Sequence, residues 1–183
     1  MLLIQLTGLS GAGKSTLATA VQSRLQALGY RVELIDGDVY RQHLCRDLGF
    51  SKTDRQENIH RLGFMGVTLA RHGVIALMSA INPYESARAA VRTMGGDLVR
   101  TVWVDCDMTT LKNRDTKGLY RRAALPDGDV EKIHNLTGVN DPYEMPEHPD
   151  LTIHTHLESE EACIAHLLQF ILAQISPTIP PGE

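Results

Sequence analysis

Five short apolar runs punctuate the chain, at residues 2–6, 32–35, 74–78, 102–104 and 151–153. Their near-continuous apolar character predicts parallel strands covered on both faces, rather than strands with one wet side. Between the first two runs the period changes. Leu17, Val21, Leu25 and Leu28 recur at helical spacing, and Gly29 stands where a left-handed residue would close that helix. Near the C-terminus Ile164, Leu167, Leu168, Ile171, Leu172 and Ile175 form another apolar stripe, which predicts a core-facing helix. Strands alternating with helices imply an α/β fold, a three-layer α/β/α sandwich on a mainly parallel sheet with right-handed crossovers. No repeat or linker-like stretch divides the chain, so residues 1–175 read as one domain, and the proline-rich 176–183 as a frayed tail.

In such sheets ligands bind beyond the carboxyl ends of the strands. The first strand runs directly into GLSGAGKST, and residues 8–15 match G-x-x-x-x-G-K-[ST] with an amphipathic helix behind them. This is the phosphate loop of the P-loop nucleoside-triphosphate hydrolases. Its glycines let backbone amides turn inward around phosphate oxygens, and the helix N-terminus adds partial positive charge. The loop assigns Gly8, Leu9, Ser10, Gly11, Ala12, Gly13, Lys14, Ser15 and Thr16 to ATP, with Lys14 on the β- and γ-phosphates and Ser15 on Mg²⁺. The second strand ends in Asp36-Gly37-Asp38. Two carboxylates there can face the nucleotide and its metal, Asp38 orienting or deprotonating an attacking hydroxyl and Asp36 supporting the Mg²⁺ shell.

Composition narrows the field further. The 183 residues carry a formal charge of −4, which lends no support to nucleic-acid or anionic-membrane binding. No apolar run approaches the ~20 residues of a membrane span, and the opening MLLIQLTG is too short for a signal peptide. The three cysteines show no CxxC pairing, and the eight histidines show no HExxH spacing. They read as reduced thiols and as core or surface imidazoles of a cytoplasmic protein, with no zinc site among them. A GTP switch would need an NKxD base motif, which is absent, and a motor ATPase would need a larger machine. Small-molecule kinases remain.

Beyond the loop, five blocks occur in order: GLSGAGKST, DGDVYR (36–41), DLGFSKTDRQENIHR (47–61), NRDTKGLYRRA (113–123) and TGVNDPYEMPEHPDL (137–151). Together, over about residues 4 to 153, they resemble the adenylyl-sulfate kinase family. The resemblance implies phosphorylation of the 3′-hydroxyl of adenylyl sulfate by MgATP. It implies that Asp38 lies beside the acceptor hydroxyl and that Arg41, Arg55 and Asn58 surround the phosphosulfate and ribose. Phe50 is set against the adenine, with Ile81, Lys117 and Leu119 also on the substrate side. It makes NRDTKGLY a lid, with Arg114 near the ATP base, and lines the adenine end of the ATP site with Thr137 to Pro142. It also implies a homodimer, and an ATP sulfurylase as a functional partner. Two departures stand out: residues 124–136 are longer than usual, and the family's serine after the third strand is Asn82, which cannot carry a phosphoryl group. Two other readings stay open, a kinase for another acidic nucleotide such as cytidine diphosphoramidate, and, from a different class, a nucleotide-dependent binding module partnering an ATP sulfurylase.

Overall fold

The computed structural model describes residues 1–175; the expectation of a frayed 176–183 lies outside them. Strands β1 (Leu3–Thr7), β2 (Val32–Asp36), β3 (Ile75–Ser79), β4 (Val99–Asp105) and β5 (Leu151–His154) form one sheet in the order β2-β3-β1-β4-β5. Every neighbouring pair is parallel. All five residues of β1 and of β3 are buried, as strands covered on both faces require. The pleat then sorts the side chains. Ile4, Leu6, Ile75 and Leu77 join one core with Leu17, Val21 and Leu25 of α1 (Lys14–Ala27) and Ile164, Leu167 and Ile171 of α7 (Glu160–Ile175). Leu3, Ala76 and Met78 join the opposite core with Ile59 and Leu62 of α3 (Lys52–Arg71) and Val91 of α4 (Glu85–Gly95).

Helix ends follow local chemistry. Gly29 adopts φ 88° after α1, and Tyr30 N–H bonds back to Leu25 O at 3.1 Å, the left-handed stop expected there. Ser51 and Asp54 cap α3 reciprocally in a capping box. The DGD turn goes further than expected: it opens a helix, α2 (Gly37–Leu44), because the Asp36 carboxylate accepts from Asp38 N–H and Val39 N–H at 3.0 and 3.3 Å. Two short helices, α5 (Met108–Arg114) and α6 (Leu119–Ala123), form the segment read as a lid. Among the described residues no helix is long and apolar enough to cross a membrane.

A polar seam crosses the second core. Gln5 is fully buried in β1; its amide nitrogen donates to Arg88 O at 3.2 Å and to Thr101 Oγ1 at 2.9 Å. Its carbonyl is thereby left to accept, and Asn82 Nδ2 donates to it at 3.2 Å. The buried Arg88 guanidinium donates to Asn82 O at 2.7 Å, to Glu144 O at 2.7 Å and to the Glu85 carboxylate. This network pins the β3–α4 loop, which forms one wall of the cleft described below.

The α3–α4 contact permits no added carbon. A Cβ on Gly63 would lie 2.5 Å from Cγ2 of Val91, a β-branched side chain with little rotamer freedom in a helix. Overpacking costs about 1–3 kcal/mol, and the helix propensity of alanine recovers about 0.5–1 kcal/mol. Gly63→Ala is therefore expected to lower unfolding free energy by about 1–2 kcal/mol in a urea titration. A stabilised variant would show that this packing is wrongly described.

Candidate active site

The carboxyl ends of β1, β2 and β3 open into a cleft of about 520 Å³, within the range of small-molecule sites. The phosphate loop forms its floor. Gly8 leaves β1 pressed against the neighbouring strand: a Cβ there would sit 2.3 Å from Val104 O. Its amide donates to Ile81 O at 3.2 Å. Two further contacts hold the loop from behind, Tyr120 Oη donating to Ser10 O at 2.8 Å and Thr155 Oγ1 to Ala12 O at 2.9 Å. Gly11 and Gly13 take φ 79° and 99°, a region closed to most side chains.

Lys14 is buried, and its ammonium donates to Gly8 O and Leu9 O at 2.9 and 2.8 Å. Burial, with repulsion from Lys117 second, pushes its pKa down to about 8 against the opposing pull of Asp38 and Asp36. Next to it Ser15 Oγ donates to Asp36 Oδ2 at 2.8 Å and lies 3.1 Å from Ser79 Oγ. Asp36 thus works twice, one oxygen capping α2 and the other facing Ser15. Asp38 sits at the cleft mouth and pairs with Lys117, which reaches over from the α5–α6 connection.

The far wall carries the other predicted residues. Arg41 lies over the Phe50 ring at 4.4 Å, and Arg55 lies 5.6 Å from the same centroid. Arg55 donates to Phe50 O at 3.0 Å and Asn135 O at 2.7 Å, and pairs with Asp141 at 3.2 Å. Asn58 is buried, with an Oδ1 that has no partner. Ile81, Asn82, Lys117 and Leu119 also line the cleft. Asn82 is buried at φ 47°, a left-handed conformation that asparagine tolerates better than most residues.

The structure does not bring every predicted residue to this cleft. Gly8, Leu9 and Ala12 support the floor from below. Arg114 lies behind the loop, donating to Thr155 O at 2.7 Å and Cys106 Sγ at 3.6 Å. Thr137 and Pro142, expected at the adenine end of the ATP site, do not line this cleft. Thr137 is buried in a bridge to Asp141, the partner of Arg55, and Gly138 packs closely on Leu9. The segment 137–142 thus touches both the phosphate loop, at Leu9, and Arg55, at Asp141. Ser79, Tyr120 and Thr155 were missed. Only Ser79 carried a signal, as a hydroxyl at the carboxyl end of a strand.

Comparison with known proteins settles the lineage. The family model described as Adenylylsulphate kinase matches residues 1–154. The chain belongs to the adenylyl-sulfate kinase family. Among its relatives, the adenylyl-sulfate kinase of Synechococcus sp. (strain JA-3-3Ab) is 48% identical over 163 residues, covering 89% of each chain. That of Chloroflexus aurantiacus is 48% identical over 167 residues, covering 91% of this chain and 87% of the other. Among solved structures, the Mycobacterium tuberculosis APS kinase in complex with AMPPNP and APS superposes with a TM-score of 0.85. It shares 34% identity over 93% of this chain and 96% of that one.

Lys14 carries a direct expectation. Lys14→Ala should lower turnover ~10²-fold or more, since electrostatic groups on a transferring phosphoryl are worth several kcal/mol, while the thermal melt stays close to wild type. Below pH 8 the ammonium of the free protein is charged. Phosphate binding favours that charged form, so ATP affinity should fall as pH rises above about 8. Calorimetric titration at pH 7 and pH 9 checks this, and Lys14→Met should remove the pH dependence. Near-normal turnover of Lys14→Ala would contradict the assignment of the loop.

Proposed function

We propose that this member of the family transfers the γ-phosphoryl group of ATP to the 3′-hydroxyl of adenylyl sulfate, giving 3′-phosphoadenylyl sulfate and ADP, in one in-line step. The observation that carries the reading is a single cleft with a phosphate loop on its floor and Arg41, Phe50, Arg55 and Asn58 on its opposite wall. Donor and acceptor need no second domain. The relative solved with AMPPNP and APS supports the same two ligands here.

Arginines suit the oxygens of a phosphosulfate, and the Phe50 ring suits a purine once Arg41 yields its face. Lys14 leaves Gly8 O and Leu9 O to meet the phosphates. Asp38, released from Lys117, orients the acceptor hydroxyl and takes up its proton as the new P–O bond forms. The hard oxygens of Ser15 and Asp36 fit Mg²⁺, which keeps few protein ligands. When bound, Mg²⁺ neutralises charge on the β- and γ-phosphates. Closure of the α5–α6 segment would exclude water, the competing acceptor. Use of ATP and three buried free cysteines support a cytoplasmic location.

Asn82 supports direct transfer. Its amide is committed to Gln5 inside the protein and is no nucleophile. Incubation with γ-labelled ATP and no acceptor should leave no stoichiometric label on the protein, and Asn82→Ser should alter activity only modestly. A labelled protein that chases into product would overturn the direct mechanism.

On the acceptor side, Arg55→Ala and Asn58→Ala should raise KM for adenylyl sulfate by ~30-fold or more, as loss of a contact to a desolvated anion costs ~2–5 kcal/mol. ATP affinity should stay within about twofold of wild type. Equal losses for both ligands would move these residues to the donor side. The function itself is tested by offering MgATP with a panel of acceptors and reading product masses. Adenylyl sulfate should gain one phosphoryl group. Phosphorylation of cytidine diphosphoramidate instead, or no acceptor-dependent ADP, would overturn the reading.

A further inference from the structure

Strands β4 and β5 leave the sheet in step. Asp105 is the register partner of His154, and the chain continues from these as Cys106-Asp107 and Thr155-His156. Parallel pairing thus carries a thiol, a carboxylate and an imidazole to one corner. Donor atoms of Cys106, Asp107 and His156 all lie within 4.8 Å of one another. Cys106 is buried, and Nδ1 of His156 is buried with no hydrogen-bond partner. An orphaned ring nitrogen is costly unless something completes it.

The donor set has a definite chemical preference. One sulfur, one nitrogen and one oxygen are the ligands of a borderline-soft cation such as Zn²⁺, and they suit Mg²⁺ poorly. Three protein ligands leave a fourth tetrahedral position for water. Zinc–ligand bonds of ~2.0–2.3 Å put tetrahedral ligands roughly 3.5 Å apart, so the trio has to close by only about an ångström. Burial pushes the Cys106 thiol up, opposed by the Thr155 hydroxyl and by the Arg114 guanidinium 3.6 Å from its Sγ. Asp105, bonded to His154 at 2.9 Å, adds a negative charge nearby to balance that guanidinium.

We propose that Cys106, Asp107 and His156 form a site for a zinc-class divalent cation, separate from the Ser15–Asp36 pair, and that filling it weakens ATP binding. Coordination displaces the thiol proton to solvent. The coupling follows from position. Arg114 donates to both Cys106 and Thr155, and Thr155 holds the phosphate loop through Ala12 O. A cation on the sulfur repels Arg114 and loosens its hold on Thr155, and with it the loop's anchor at Ala12 O, a step that rests on the reading of the loop as the ATP site.

The test uses the full chain, stripped with a chelator and titrated with Co²⁺. One equivalent should give thiolate-to-cobalt charge-transfer absorption and tetrahedral d–d bands, both bleached by Zn²⁺. Cys106→Ser should lose the charge-transfer band, and His156→Gln should weaken binding at least ~10-fold. Cys45→Ser and Cys163→Ser should leave the spectrum unchanged, with circular dichroism melts confirming that each variant is folded. Cobalt binding without a thiolate band, or a band that survives Cys106→Ser, would overturn the site. In a second arm, Zn²⁺ should raise the Kd of a fluorescent ATP analogue ~10-fold in the wild type and not in His156→Gln. Unchanged affinity in the zinc-loaded wild type would overturn the coupling. Because the cobalt spectrum needs no turnover, failure of the kinase assay and failure of this site are separately visible.

Discussion

The rest of the site depends on how closely Gly8 approaches β4. Only a residue without Cβ can lie against Val104 O at this distance, and the turn out of β1 starts from that contact. The following loop is then held at three carbonyls or amides by distant parts of the chain. Gly8 N–H meets the β3–α4 loop, Ser10 O meets α6, and Ala12 O meets the residue after β5. A rigid cradle of backbone N–H groups is what phosphate recognition needs, because transfer depends on positioning more than on covalent chemistry. Each anchor also links the cradle to a segment with another task. The β3–α4 loop forms one wall of the cleft, α6 belongs to the segment read as a lid, and the β5 end adjoins Arg114.

Charge is distributed over the cleft so that ligands replace existing contacts. Lys14 is satisfied by two loop carbonyls, Asp38 by Lys117, and Arg55 by Asp141 and two backbone oxygens. No isolated buried charge has to be sustained while the site is open, which spares the cost of an unpaired ion. Donor and acceptor then compete for groups already aimed into the cleft. The exceptions are polar atoms without partners, such as Asn58 Oδ1, which a hydroxyl or amino group of a ligand would satisfy.

Much of this was legible in the sequence, for reasons that can be named. The phosphate loop and five strands are local patterns, and each strand was found to within a few residues. β4 starts at Val99 rather than 102 because Arg100 and Thr101 interrupt the apolar run while still pairing with β1. Helix α2 was hidden because its cap, Asp36, was already read as a metal-side carboxylate; one of its oxygens caps the helix and the other accepts from Ser15. The contact of the 137–142 segment with α3 was not legible, because it rests on an ion pair across more than eighty residues, Arg55 with Asp141. Cys106 and His156 looked incidental for the same reason: strand pairing joins them, and no spacing in the chain records it.

The central claim is that one cleft brings ATP and its acceptor together for a single displacement. The stereochemical course of transfer tests this most directly, using ATP whose γ-phosphoryl is made chiral with oxygen isotopes. One in-line step inverts configuration at phosphorus, and two successive displacements through a phosphorylated protein retain it. The account predicts inversion in the 3′-phosphoryl group of the product. Retention would contradict it and would require a nucleophile on the protein that this cleft does not supply.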